Sequence, residues 1–521
     1  MYDVIIRNGK IIDGSGNPWF HGDIGIVDGR VAEIGNLADQ AGKEEYDACG
    51  RYVAPGFIDI HTHSDKTLAT YPQSESRILQ GVTTEIGCNC GISPFPVVPE
   101  RLADLKSYEG GDLPYQWKDA KGFLDYMESM GCSTNLGCLV GHGSLRLAVM
   151  GYSTEKASLG QLKAMRKLAA EALKGGAFGI SSGLIYPPGS YSDREEMIFV
   201  LDALRECGGY YATHMRNERD KLVESVRESI EVAAAAKVPL QISHHKSLHK
   251  PLHGIAVHET TRMIEEAREN GLDVCCDQYP YSASATFLSS DIPAWGFEGG
   301  MEGLVQRLHD PETRARLKKE ADDSNAGRWQ YLFISYVESR KNRWMIGKSV
   351  TEIGEKLGKS PADVVFDLVE EEWNKVNEID FGMSEEDIEF IMQKPYVMPA
   401  SDGEAYSLDF PGEPHPRNFG TFPRVLAHYC RDRQLFPLEK AISKMTSFPA
   451  RRIGLDDRGL IRPGMWADLV VFDFNALESA PTYEMPKQPC RGILQVFVNG
   501  VLTAENGKHT GKRAGKILRS K

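Results

Sequence analysis

Strand-like and helix-like segments alternate through the middle of the chain, and this alternation constrains the fold more than any other feature. Strand-like apolar runs occupy residues 133–140, 176–181, 210–214, 239–244 and 272–279. Between them apolar residues recur at helical spacing, as in Leu222, Val226, Ile230 and Ala233. Repeated strand–helix units build a parallel sheet, and about eight of them close into a barrel. We count seven or eight units, so the sequence predicts an α/β fold, a (β/α)8 TIM barrel.

Both ends of the chain are rich in short strands. Asp13-Gly14 and Asp28-Gly29 punctuate alternating segments near the start, and Asp-Gly is a hairpin signal. Residues 467–473 and 495–502 show the same strand-like pattern near the other end. The simplest packing joins the two ends into one small β-sandwich domain, residues 1–54 with 461–521, beside a barrel at 55–460.

Residues 285–347 interrupt the strand–helix rhythm with glycines and many charges. We expect an insertion near the barrel mouth, where it would shape the pocket as a lid. Its aromatic residues favour substrates with apolar side chains, whereas its arginines favour substrates with acidic ones. The sequence does not decide between these two types of substrate. The aromatic candidates are Trp295, Phe297 and Phe287, and the basic ones are Arg307, Arg314 and Arg340.

The composition excludes several classes of protein. Of the 521 residues, 41% are hydrophobic and 26% charged, which is typical of a globular chain. Lys and Arg number 60 against 73 Asp and Glu, and the net charge of −13 argues against a nucleic-acid partner. The basic tail, residues 508–521, is expected to be a solvated end.

The chain lacks the signals of export and of membrane insertion. No apolar run approaches the ~18–20 residues of a membrane span, and the first residues do not resemble a signal peptide. Ten cysteines are too sparse for a disulfide framework. We therefore expect a cytoplasmic protein with no membrane partner, a monomer or a small homo-oligomer.

Histidines fall where predicted strands end. The run from Gly56 finishes in His61-Thr62-His63, and alternation along a strand places the two imidazoles on one face. Two such imidazoles suit zinc, copper, iron or nickel. An isolated His-x-His is more often a polar turn, so this motif alone does not establish a metal site.

Three further strand ends strengthen the metal interpretation. His214 ends the run 209–214, His244 ends the run 239–244, and Asp402 follows the apolar run that begins at Tyr396. Histidines buried for structural reasons would not fall on strand ends so regularly. Because the carboxyl ends of barrel strands form the mouth, the pattern predicts a metal site there.

These residues resemble the amidohydrolase superfamily, and more closely its N-acyl-D-amino-acid deacylase (D-aminoacylase) family. The resemblance extends from Met1 to about Gly500. The motifs that carry it are Gly81-Val82-Thr83-Thr84, Asn89-Cys90-Gly91, Thr213-His214-Met215-Arg216-Asn217-Glu218, Ser243-His244-His245-Lys246, Tyr279-Pro280-Tyr281, Ser401-Asp402-Gly403 and His415-Pro416-Arg417.

The resemblance implies a particular set of metal ligands. A cysteine thiolate, a strong zinc ligand, takes the bridging position in this family, and Cys90 matches it. Cys88 lies two residues away and is interpreted as structural. In His244-His245 the first residue matches the ligand position of the family motif, and His245 matches its variable position. The implied cofactor is Zn2+, with one tight site and optional occupancy of a second. The tight site would use Cys90, His214 and His244, and the second His61 and His63.

The resemblance also implies a reaction: hydrolysis of the amide bond of N-acyl-D-amino acids, with Asp402 as general base and then general acid. The substrate is a small molecule with a free carboxylate, which requires a cation and hydrogen-bond donors in the site. The candidates for substrate binding are Lys246, Arg417, Arg216, Tyr279, Tyr281 and, in the pocket wall, Tyr186.

Two alternatives compete with this hypothesis. A cyclic-amide hydrolase of the hydantoinase or dihydroorotase type needs a strand-end lysine to carboxylate, and Lys174 is a poor candidate because it lies near the end of a helical pattern. A catalytically dead scaffold would have lost ligands, yet all five and Asp402 are present.

Overall fold

The computed structural model describes residues 1–521, and a closed barrel of parallel strands forms its centre. We number the barrel strands 1 to 8 in chain order: Phe57–Asp59, Val82–Gly87, Asn135–Cys138, Gly179–Gly183, Tyr210–His214, Leu240–Ile242, Val274–Gln278 and Val397–Pro399. Strand 3 continues past Leu139 as Val140–Gly141, which pairs with strand 4. The predicted TIM barrel is therefore confirmed.

Strands 1 and 8 close the barrel. A parallel bridge joins Thr62 to Gly403, and the backbone N–H of Asp402 donates to the carbonyl of His61 at 2.9 Å. Every residue of strands 1 and 2 is buried, as expected for strands covered on both faces. Closure brings the segments after strands 1 and 8 side by side at the mouth.

Helices surround the barrel. The longest, Leu159–Lys174, begins at a capping box in which the Ser158 and Gln161 side chains each accept from the other residue's backbone N–H. The other barrel helices are Ala120–Met130, Arg194–Cys207, Leu222–Ala236, Ala256–Glu269, Glu385–Met392, Arg417–Arg424, Leu438–Met445 and Ser447–Ile453, with Val425–Asp432 as a π-helical continuation. Shorter helices are Glu75–Ile78, Leu102–Glu109 and His142–Met150.

The two ends of the chain form one β-domain, as predicted. All nine of its strands belong to one continuous sheet, in which Tyr52–Pro55 pairs antiparallel with Leu469–Phe472. The other strands are Tyr2–Ile11, Phe20–Val27, Arg30–Gly35, Gly42–Asp47, Ile493–Val498, Val501–Glu505 and Lys508–His509. The rings of Tyr46 and Phe497 meet edge to face at 5.3 Å, so both ends share one apolar core.

The insertion is longer than the predicted 285–347. Its central strand, Val376–Asp380, pairs antiparallel with both Ser284–Phe287 and Leu332–Val337. Its helices are Gly300–His309, Pro311–Ser324, Val350–Leu357 and Pro361–Glu371, and they share one apolar core. The insertion thus spans about 284–380. The predicted C-terminal boundary of the insertion, residue 347, lies too early. The helices and the strand that follow it have the same local sequence pattern as a strand–helix unit of the barrel.

The tail is not the solvated end that we expected. The Leu136 N–H donates to the Lys516 carbonyl at 3.0 Å, and the Leu518 N–H returns to the Leu136 carbonyl at 2.7 Å. The tail therefore lies against barrel strand 3. None of the helices combines the length and the apolar composition needed to cross a bilayer.

Candidate active site and metal centre

The structure gathers the predicted ligands at the barrel mouth. His214 ends strand 5, and the other ligands follow strands 1, 2 and 6 within a few residues. The Oδ1 atom of Asp402 lies 3.2 Å from Nε2 of His61 and 3.2 Å from Nε2 of His63. These three side chains form the first half of the site.

Cys90 joins this half to a second one. Its Sγ lies 3.3 Å from Nε2 of His61 and 3.7 Å from Nε2 of His244. The same Nε2 of His244 lies 2.9 Å from Nδ1 of His214. The thiol thus lies between the two halves, where a bridging ligand would lie.

These residues fit zinc. Zinc binds Cys sulfur at about 2.3 Å and His nitrogen at about 2.0 Å, so tetrahedral ligands lie roughly 3.3–3.6 Å from one another. The separations between Cys90 Sγ and the His61 and His244 nitrogens, 3.3 and 3.7 Å, are close to that range. Thiolate, imidazole and carboxylate are also the ligand types that zinc takes.

Three of these residues have strained backbones. Cys90, His244 and Asp402 have φ angles of 53°, 34° and 51°, in the left-handed region that side chains disfavour. Such strain persists only where surrounding structure enforces it, and it concentrates at functional sites. Gly183 of strand 4 allows the close approach, because a Cβ there would lie 2.0 Å from the Cys90 carbonyl oxygen.

Electrostatics favour the charged forms of Cys90 and Asp402. Burial raises the pKa of the Cys90 thiol, but His61, His214 and His244 outweigh it and hold this pKa well below the usual value. Burial likewise opposes ionisation of Asp402, yet Arg417 and then His61 bring its pKa well below the ordinary range. The site therefore presents a thiolate and a carboxylate.

Two carboxylates that our sequence reasoning missed support the histidines. Asp277 is the last residue but one of strand 7; its Oδ1 lies 2.9 Å from Nδ1 of His61 and accepts the His244 N–H at 2.8 Å. Glu218 Oε1 lies 2.9 Å from Nδ1 of His244 and accepts from Lys246 Nζ at 2.6 Å. A carboxylate near a strand end was a usable signal for Asp277, and Glu218 lies four residues after His214 in the segment 213–218.

The competing candidates lie outside the site. Cys88 is buried, and its backbone N–H donates to Asp65 Oδ1 at 2.6 Å. His245 Nε2 lies 2.8 Å from the Thr260 hydroxyl, on helix Ala256–Glu269. Lys174 is exposed at the last position of its helix, so it supplies no bridge between metals.

The site opens into a cavity of about 730 Å³. Of the predicted substrate-binding residues, Lys246, Tyr279, Arg417, Arg216 and Tyr186 line it. Tyr281 does not: its hydroxyl donates to the Pro416 carbonyl at 3.4 Å, beneath the cavity wall, which corrects that assignment. From the insertion Phe287 reaches the cavity, whereas Trp295, Phe297, Arg307, Arg314 and Arg340 do not.

The predicted cations already have partners. Arg417 Nη1 lies 2.7 Å from Asp402 Oδ2, and its Nη2 donates to the Ala285 carbonyl at 3.1 Å. Arg216 is paired with Glu228 at 3.0 Å. The Tyr279 ring lies 5.0 Å from the Arg417 guanidinium and 5.6 Å from Lys246 Nζ. An anion that entered here would compete with side-chain carboxylates for these cations.

Known proteins resemble the chain over its whole length. A sequence profile described as amidohydrolase family matches residues 44–329 and 409–504. The D-aminoacylase of Alcaligenes xylosoxydans xylosoxydans is 38% identical over 520 residues, 99% of this chain and 97% of that protein. The N-acyl-D-glutamate deacylase of the same organism is 33% identical, over 99% of this chain and 96% of that protein.

A solved structure shows the same fold. The N-acyl-D-glutamate deacylase from Bordetella bronchiseptica, complexed with zinc and a phosphonate mimic of the tetrahedral intermediate, superposes with a TM-score of 0.84. The match covers 100% of both chains at 30% sequence identity.

Proposed function

Because this chain belongs to the amidohydrolase family, we propose that it is a zinc-dependent hydrolase that cleaves N-acyl-D-amino acids into a carboxylate and a free D-amino acid. One observation carries the proposal: Cys90 Sγ lies between His61 and His244, and Asp402 faces the same cavity. Because Cys90 lies where it would bridge two metal ions and Lys174 is exposed at the end of its helix, the arrangement does not favour a cyclic-amide hydrolase. Since every ligand is present, it does not favour a dead scaffold.

The chain's own residues would hold zinc in two places. Cys90, His214 and His244 form the proposed tight site, and His61, His63 and Asp402 form the second, weaker one. Zinc, when bound, lowers the pKa of water from about 15.7 to about 7 and polarises a carbonyl oxygen.

Asp402 is the proposed general base and acid. Its carboxylate is ionised, because Arg417 and His61 stabilise its charge, and it lines the cavity. It can therefore accept a proton from the attacking water and deliver it to the departing nitrogen of the amide. As a base, this carboxylate makes water a better nucleophile; as an acid, it protonates the amine and so makes it a better leaving group.

Arg417 is the proposed anchor of the substrate's α-carboxylate, with Tyr279 and Lys246 beside it and Tyr186 in the opposite wall. Arginine binds carboxylates bidentately, and the Tyr279 ring supports the guanidinium at 5.0 Å. When the substrate takes Arg417, Asp402 loses a positive neighbour, so the same event that places the amide also makes Asp402 a stronger base. Arg216 also lines the cavity and is a further candidate for binding the substrate, although its guanidinium is paired with Glu228.

The test is a screen of matched N-acetyl-D- and N-acetyl-L-amino acids, with hydantoins included, on zinc-loaded protein. We expect hydrolysis of the D series alone. Preference for L substrates would overturn the proposed handedness, and activity on hydantoins alone would overturn the linear-amide assignment. Graded chelation with metal analysis tests the zinc proposal: loss of all activity only after two equivalents have left would refute a single essential zinc.

We also propose a cytoplasmic protein that is a monomer or a small homo-oligomer. The unpaired state of all ten cysteines supports a reducing compartment. Light scattering coupled to size-exclusion chromatography would give the mass in solution, and a mass far above that of a small oligomer would contradict the second part.

A further inference from the structure

Lys66 is a buried cation at the cavity that the proposed reaction does not use. It ends the short turn Ser64–Lys66, three residues after His63, and it lines the cavity although its exposed fraction is only 6%. Burying an ammonium group is costly unless a partner compensates it. The groups around its Nζ therefore indicate the role of this lysine.

Lys66 differs from the other Lys and Arg residues of the cavity wall because it has no acidic partner within ion-pair distance. Its Nζ lies 4.8 Å from the centre of the Phe287 ring, and no carboxylate oxygen lies within the 4.0 Å of an ion pair. The paired cations of the same wall are Arg216 with Glu228, Arg219 with Asp291, Lys246 with Glu218, Arg328 with Asp380 and Arg417 with Asp402.

The buried acid on which the charge of Lys66 acts is Glu109. Its Oε2 accepts from the Tyr115 hydroxyl at 2.9 Å and from the Gly111 N–H at 2.7 Å, and its Oε1 has no hydrogen-bond partner. Burial raises the pKa of Glu109 to about 7 although Lys66 lowers it, so this carboxyl compensates the charge of Lys66 only in part. An aromatic ring, that of Phe287, lies beside Lys66, and Tyr406 and Phe410 line the same cavity. In such surroundings a carboxylate from a ligand would be bound more strongly than in water.

We infer that Lys66 binds a second carboxylate of the substrate, and hence that dicarboxylic N-acyl-D-amino acids are the preferred class. The inference rests on the proposed function. The α-carboxylate is assigned to Arg417, so the anion at Lys66 is an additional one, next to strand 1. It belongs either to the amino-acid side chain, as in aspartate and glutamate, or to a dicarboxylic acyl group such as succinyl.

The experiment compares kcat/KM for N-acetyl-D-glutamate, N-acetyl-D-aspartate and N-succinyl-D-leucine with that for N-acetyl-D-glutamine and N-acetyl-D-leucine. The proteins are wild type, K66M and K66R, with K106M as control because Lys106 is exposed on helix Leu102–Glu109. We expect K66M to lower kcat/KM for a dicarboxylic substrate by about 10- to 100-fold, the range for a lost charged hydrogen bond, while N-acetyl-D-leucine changes by less than about threefold.

The pattern of loss identifies the source of the carboxylate. Loss confined to glutamate or aspartate assigns it to the side chain, and loss confined to N-succinyl-D-leucine assigns it to the acyl group; K66R should retain part of either preference. Equal effects of K66M on charged and uncharged substrates would overturn the inference. If K66M does not fold, the wild-type protein provides the test. The inference is wrong if wild type prefers neither N-acetyl-D-glutamate over N-acetyl-D-glutamine nor N-succinyl-D-leucine over N-acetyl-D-leucine. Hydrolysis of none of these compounds would instead reject the proposed function.

Discussion

At the scale of single residues, the carboxylates that contact the histidines on the side away from the thiol are as important for metal binding as the ligands themselves. Asp277 fixes which nitrogen of His61 faces the thiol, because its Oδ1 occupies the other one at 2.9 Å. Glu218 does the same for His244. Partners of this kind set the tautomer and the ring orientation of metal-binding histidines.

Glu218→Gln should therefore weaken metal binding. Lys246, His214 and His244 hold the pKa of Glu218 far below its usual value against burial, so the native group is charged and the amide removes that charge. We expect zinc affinity to fall by about 10- to 100-fold, measured by competition with a chelator. Glu224→Gln, exposed on the following helix, is the control. Unchanged affinity in Glu218→Gln would show that this carboxylate does not orient His244.

Asp402→Asn tests the proposed proton transfer. The amide keeps the size of the side chain but accepts no proton, so kcat should fall by about 10²- to 10⁴-fold. Circular dichroism should match wild type, whereas the melting temperature should fall because Arg417 loses its charged partner; kcat is therefore measured well below the unfolding transition. Retention of more than about a tenth of kcat would assign the base to another group.

The sequence indicated most of this site but not its internal pairing. Alternation and strand ends predict that His61, His63, His214, His244 and Asp402 meet, because barrel geometry alone brings them together. The Arg417–Asp402 ion pair and the unpartnered state of Lys66 depend on how loops distant in sequence pack. No local pattern encodes these contacts, and the displacement of Tyr281 from the cavity has the same origin.

At the scale of elements, strand 4 supports the loop that carries Cys90. A Cβ at Gly183 would lie 2.0 Å from the Cys90 carbonyl oxygen, which leaves no room for alanine. Gly183→Ala should displace this loop and lower zinc affinity, read by chelator competition. Gly160→Ala is the matched control, since the nearest atom to its Cβ is 4.0 Å away. Wild-type zinc affinity in Gly183→Ala would contradict the role of this contact.

Helix Leu438–Met445 carries a buried lysine with a measurable pH effect. Burial, with a smaller contribution from Lys440, lowers the pKa of Lys444 to about 7. Between about pH 7 and 10.5 the unfolded chain thus binds more protons than the folded one, so stability rises with pH there, by up to about 1.4 kcal/mol per unit.

Lys444→Met should remove that slope. Urea unfolding at pH 7 and pH 9 should show wild type gaining about 2 kcal/mol relative to the variant, since no other group is changed. Lys440→Met, exposed on the same helix, should keep most of the slope. Parallel pH profiles for wild type and Lys444→Met would mean that Lys444 titrates normally.

At the scale of the whole molecule, a buried polar network links the barrel to the β-domain. Asn135 of strand 3 accepts from Asn499 Nδ2 at 2.8 Å and donates to Asp468 at 3.3 Å. Arg458 contacts both Asp468 and Asn499. Because removal of any member would leave buried polar groups without partners, we expect the two parts to unfold together.

The tail completes this junction and provides the test at this scale. Four backbone hydrogen bonds tie residues 515–520 to the barrel, including Gly515 N–H to Cys132 at 2.8 Å and Ser520 N–H to Gly176 at 3.0 Å. At about 1 kcal/mol each, truncation after Ala514 should cost about 4 kcal/mol of unfolding free energy. Removing Lys521 alone breaks only an exposed ion pair with Asp456 and should cost under about 1 kcal/mol.

Since the tail contacts the barrel near the starts of its strands, away from the mouth, kcat of the folded truncated protein should remain at the wild-type level. Equal stability of the two shortened chains would mean that the tail contributes nothing, and a fall in kcat would mean that strand 3 transmits its loss to Cys90.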